Sequence, residues 1–149
     1  MKKIIVMTTL CLGLSSVYAQ KIKEADVPAA VKEGFKKSFP NSKAKEWEKE
    51  DGNFEAEFDV KKVETSALFD ANGSLLQTEV EITIKELPKA IIDYLSKNEA
   101  GKKIKEAAKI TDNKGVINYE AEVSEADFIF DSAGNFIKKE VEKDDKDKK

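Results

Sequence analysis

Leu68-Phe69-Asp70-Ala71-Asn72-Gly73 returns later in the chain as Ile129-Phe130-Asp131-Ser132-Ala133-Gly134. Two further pairs precede these segments in the same order. Phe54-Glu55-Ala56-Glu57-Phe58 matches Tyr119-Glu120-Ala121-Glu122-Val123, and Val27-Pro28-Ala29-Ala30-Val31 matches Leu87-Pro88-Lys89-Ala90-Ile91. Three matched segments in one order mean that a single unit has been duplicated. The duplication decides the fold and says little about function.

Each unit opens with a helix. Asp26-Val27-Pro28 places proline in a first helical turn and an acidic group near the positive end of the helix dipole. Val27, Val31, Phe35 and Phe39 recur every four residues, which is one apolar stripe of a short amphipathic helix. Pro40-Asn41 stops it. Leu87, Ile91 and Leu95 form the stripe of the second unit, and Asn98 to Gly101 ends that helix.

Strands follow each helix. Phe54, Ala56, Phe58 and Val60 alternate with Glu55, Glu57 and Asp59. Leu76, Thr78, Val80, Ile82 and Ile84 alternate with Gln77, Glu79 and Glu81, and Ile117, Tyr119, Ala121 and Val123 with Asn118, Glu120 and Glu122. Period two with one apolar face predicts half-buried antiparallel strands whose acidic rows face solvent. Asp51-Gly52 and Asn113-Lys114-Gly115 mark hairpin turns, and the two Asp-x-x-Gly segments mark the next ones. Each unit therefore reads as a helix and a meander. The pair predicts an α+β fold: one continuous curved sheet of about eight strands with two helices on one face. Each unit alone is near the size at which a core becomes marginal, so the two are expected to share one core.

Residues 1–19 read as a secretion signal: Lys2 and Lys3, an apolar run from Ile4 to Leu14, then Val17-Tyr18-Ala19 as a cleavage site. The run is too short to span a bilayer, and no later segment approaches one. Cys11 follows Thr8-Thr9-Leu10 rather than a small residue, so it reads as a filler removed with the signal, not as a lipid attachment site. Residues 20–141 are expected to form one domain, with repeat one about 24–85 and repeat two about 86–141. Residues 142–149 are all charged and are expected to form a disordered tail.

Composition removes several function classes. The chain has no histidine and no arginine, and its one cysteine is Cys11. General acid–base catalysis near neutrality most often uses His, transition-metal sites use His and Cys, and bidentate phosphate recognition favours Arg. No cofactor or metal is expected. The formal charge of −3 becomes −5 without Lys2 and Lys3, and no basic patch offsets it, which argues against nucleic acid.

The remaining motifs have bland readings that outweigh the functional ones. Asp70-Ala71-Asn72-Gly73-Ser74 offers two calcium-type ligands, and Glu81 stands at the twelfth position. The following residues alternate as a strand rather than a helix, so this is a β-turn. Ser66 and Ser74 lack a histidine base, and Ser42-Lys43 and Ser96-Lys97 read as helix-end polar residues. Trp47 could be a binding hot spot, but burial beside Phe35 or Phe39 explains it better. Glu55, Glu57, Glu79, Glu81, Glu120 and Glu122 are the candidate binding residues, a surface for a basic partner, against the plain alternative of a solvated sheet face.

A helix opening on Val-Pro or Leu-Pro, an aromatic-plus-acidic strand, then Phe-Asp-x-x-Gly before a last strand resembles the PepSY-like, β-lactamase-inhibitor-like secreted family over Val27 to Val141. The resemblance implies a tandem α+β repeat and an exported protein, periplasmic or extracellular. The inhibitor part of that name rests on structural likeness and does not establish inhibition. The repeats differ where Ala108 lies near the place of a second Trp47. The expectation is an exported, non-enzymatic module that binds an unidentified protein or peptide through its sheet. The alternatives are a carboxylate-based cation-binding envelope protein and an unconventional hydrolase.

Overall fold

A computed structural model describes residues 20–141; the signal segment and charged tail lie outside the described residues. The strands are β1 (Gln20–Ile22), β2 (Glu46–Glu50), β3 (Asn53–Val60), β4 (Val63–Phe69), β5 (Leu75–Glu81), β6 (Ile104–Asp112), β7 (Ile117–Val123), β8 (Ala126–Asp131) and β9 (Phe136–Val141). The helices are α1 (Ala29–Ser38) and α2 (Lys89–Asn98). The strands stand in sequence order in one open antiparallel sheet of nine strands. The strand beyond the expected eight is β1, which pairs Ile22 with Trp47.

The chain divides into two compact units after Thr78, within β5 rather than at the repeat boundary read from the sequence. Each unit holds its own cluster of buried side chains. In the first, Val27, Val31 and Phe35 of the helical stripe pack with Trp47, Phe54, Ala56, Phe58 and Phe69. In the second, Leu87, Ile91 and Leu95 pack with Ala121, Val123, Phe128 and Phe130. Aromatic mass compensates for small size. Phe35 lies edge-on to Trp47, Phe58 and Phe69, with ring centroids 5.6, 5.0 and 6.3 Å away. Such pairs add about 0.5–1.5 kcal/mol each beyond area burial.

The turns carry the register. Asp51 and Gly52 have φ of 48° and 81°, the left-handed pair of a two-residue hairpin between β2 and β3. Asp70 accepts the backbone N–H groups of Asn72 and Ser74 at 2.9 and 2.8 Å, and Asp131 accepts those of Ala133 and Asn135 at 2.9 and 2.8 Å. The Ser74 N–H first holds the Asp70 carboxyl below the ordinary value, and for Asp131 the Asn135 side-chain amide, donating at 2.8 Å, leads the backbone bonds in doing so. The Asp70 carboxylate is thus engaged by its own turn, as the β-turn reading requires, and Glu81 sits on a strand. The turn also receives α1. A Cβ at Gly34 would stand 2.0 Å from the Gly73 carbonyl oxygen, so glycine permits helix and turn to touch.

Candidate partner-binding face

Residues directly opposite on neighbouring strands project from the same side of a sheet. In the first unit the pairings Ile22–Trp47–Ala56–Ala67 and Phe54–Phe69 define the face that α1 covers. The other face carries the rows Lys21–Glu48–Glu55–Leu68 and Glu46–Glu57–Ser66.

This face is not the solvated acidic surface that alternation predicts. Glu55 and Glu79 are each only 3% exposed and Glu120 only 8%, while Glu57, Glu81 and Glu122 are half-buried. The reason is that the second face carries its own buried side chains. Leu68 and Ser66 lie there in the first unit, and Ile129 and Ala108 in the second. Period-two alternation identifies two faces, but it assigns solvent to one of them only when nothing bulky stands on it. On β5 the buried residue is Glu79, and Val80 is half-buried.

Glu57 alone among the six candidates is drawn into a tight carboxylate cluster. Its carboxylate oxygen and those of Glu46 and Glu48 lie within 4.8 Å of one another. Strand β2 supplies Glu46 and Glu48 two residues apart, so both project to one side, and the β2–β3 register sets Glu46 against Glu57. Burial, then repulsion from Glu46, Glu48 and Glu64, pushes the Glu57 carboxyl from 4.5 up to about 7. Lys21 opposes this shift and forms an ion pair with Glu46. The sequence reading missed Glu46 and Glu48. The available signal was Glu-x-Glu in the segment before Asp51-Gly52, which a hairpin must fold onto Glu55-x-Glu57.

The second unit builds the equivalent place differently. Glu122 pairs with Lys105 at 2.7 Å, and Glu140 with Lys138 at 2.7 Å. Burial and then Asp127, Glu140 and Glu122 raise Glu120 well above the ordinary carboxylate value, with Lys138 acting against them. Lysines from β6 and β9 therefore interleave with the carboxylates here. In the first unit a half-buried cluster of three remains with Lys21 at its edge.

Trp47 is buried at 4% exposure against Phe35, and its indole Nε1 finds no hydrogen-bond partner among the described residues. Its counterpart by register is Ala107, one residue before Ala108; Ala107 faces Ala121 as Trp47 faces Ala56. No helix among the described residues is long and apolar enough to cross a membrane.

No curated protein matches the chain. Solved structures do. A DUF2874 family protein from Bacteroides uniformis is 20% identical with a TM-score of 0.67, covering 76% of this chain and 88% of its own. A protein from Bacteroides eggerthii, described as periplasmic, is 15% identical with a TM-score of 0.68, covering 77% and 88%. A BLIP-like protein from Bacteroides fragilis is 24% identical with a TM-score of 0.62, covering 79% and 90%. These likenesses establish the fold. The model of the beta-lactamase-inhibitor-like, PepSY-like family matches residues 16–77 and again 59–138, one match for each repeat. The chain belongs to the PepSY-like, beta-lactamase-inhibitor-like family.

Proposed function

We propose that the protein is an exported, non-enzymatic binding module that takes a basic segment of another protein or peptide on the helix-free face of its first unit. The observation that carries this reading is the cluster of Glu46, Glu48 and Glu57, in which burial and then repulsion from its neighbours raise Glu57 to about 7. Holding three carboxylates together costs stability unless a positive charge joins them. Lys21 already gives the cluster one positive charge through its ion pair with Glu46, and a lysine or arginine from a partner adds another that pulls Glu57 back toward its ionised form. Glu55, which faces Glu48 across β2 and β3, adjoins the cluster, while Glu79, Glu81, Glu120 and Glu122 belong to the second unit and are not among the contacts. Export is supported by the Lys2–Ala19 segment and by the B. eggerthii relative described as periplasmic.

Affinity capture from the organism's own envelope extract tests the reading. Wild-type bait should retain a basic partner that bait carrying Glu46→Gln and Glu57→Gln loses. Association should slow as salt rises, because charge steering is screened beyond about 10 Å at ~0.1 M salt. Identical capture by both baits would refute the assignment. The cation-binding alternative draws on the same three carboxylates, and a thermal shift with calcium that the same substitutions abolish would favour it instead.

A further inference from the structure

We propose that β9 is a docking edge for a second copy of this chain, pairing antiparallel with its own counterpart about a two-fold axis at Lys139. Strand β9 closes the strand order, and among the described residues β8 is its one strand neighbour. An edge of this kind presents a row of backbone donors and acceptors that a further strand can pair with. The opposite edge strand, β1, has three residues and exposes no large apolar side chain. On β9, Ile137 is 48% exposed and Val141 64%.

The sequence of β9 selects the occupant. Alternate residues turn their backbone groups outward, so facing residues in a symmetric antiparallel pair must be of like parity. A register centred on Lys138 sets that lysine against itself and Phe136 against Glu140 of the other copy. One centred on Glu140 sets two glutamates together and Lys139 against Val141. The register centred on Lys139 sets Lys138 against Glu140 twice. Opposite charges across strands stabilise, so this register is self-complementary, as a two-fold interface requires.

Edge lysines ordinarily hold strands apart. Here their charge is already balanced within the chain. Lys138 reaches Glu140 at 2.7 Å. Lys139, which would meet its own copy at the axis, instead bends back over the Phe128 ring at 4.6 Å and onto Glu99 at 3.2 Å. The irregularity between Ile129 and Phe130 leaves Ile137 without a facing residue on β8 and Lys138 to Val141 regularly paired.

The test is performed on the full chain in a Cys11→Ser background, so that any introduced cysteine stands alone. Sedimentation should show a concentration-dependent doubling of mass. Facing Cα atoms in an antiparallel pair lie about 4.5–5.5 Å apart, within disulfide reach. Lys139→Cys should therefore oxidise to a covalent dimer, and Lys138→Cys should not do so with itself. A mixture of Lys138→Cys and Glu140→Cys chains should cross-link. Glu140→Lys should weaken association about tenfold, and Lys138→Glu combined with Glu140→Lys should restore it. A monomeric mass at every concentration would overturn the proposal. So would equal self-cross-linking of Lys138→Cys and Lys139→Cys.

Discussion

Glu57→Gln is expected to stabilise the protein at alkaline pH and to leave it unchanged in acid. The glutamate is half-buried, faces Glu46 across β2 and β3, and has its carboxyl raised from 4.5 to about 7. A carboxyl whose folded value lies above its unfolded value destabilises the fold when ionised. The penalty is absent below about 4.5, grows between there and about 7, and is complete above. At ~1.36 kcal/mol per pH unit the displacement corresponds to about 3.4 kcal/mol. Partial solvent access screens the charges, which leaves about 1–2 kcal/mol. Glutamine keeps the shape and removes the charge. Urea denaturation followed by the fluorescence of Trp47, the only tryptophan, reports on the same unit. At pH 8 the variant should gain about 1–2 kcal/mol, and at pH 4 the two proteins should agree within about 0.5 kcal/mol. A variant that is less stable at pH 8, or equally shifted at both pH values, refutes the reasoning. The result corrects what alternation alone implies, namely an exposed and energetically silent residue. It also bears on function, since a charge that weakens the fold is retained for something other than folding.

Phe35→Ala removes an aromatic ring that meets four others, and should cost about 3–5 kcal/mol in the same denaturation. A loss below about 1 kcal/mol would place the side chain outside the core. Gly34→Ala gains up to about 1 kcal/mol of helix propensity. However, its Cβ would stand 2.0 Å from the Gly73 backbone oxygen, and crowding of that kind costs about 1–3 kcal/mol, so a net loss of stability is expected. Gly73→Ala should be worse, because that residue also holds φ at +81° and its Cβ would meet the Ala30 oxygen at 2.1 Å.

The duplicated segments, the two helical stripes and the turn signals are properties of neighbouring residues, and all of them were legible in the sequence. Val27, Val31 and Phe35 are buried as their spacing requires, and so are Leu87, Ile91 and Leu95. Asp51-Gly52 and Asp70 act through bonds and dihedrals spanning a few residues, so composition alone identifies them. The burial of Glu55, Glu79 and Glu120 was not legible. Alternation sorts residues between two faces, but whether a face meets solvent depends on side chains brought there by other strands. Leu68 stands across from Glu55 only through the β3–β4 register, and Ile129 across from Glu120 only through β7–β8. The carboxylate cluster has the same origin. Glu46 and Glu48 stand on the neighbouring strand of the same hairpin as Glu57, and only the register of that hairpin brings their carboxylates together. Local sequence determined which elements form. Cross-strand register decided which charges share a small, partly dry volume, where the effective dielectric makes their repulsion large enough to matter.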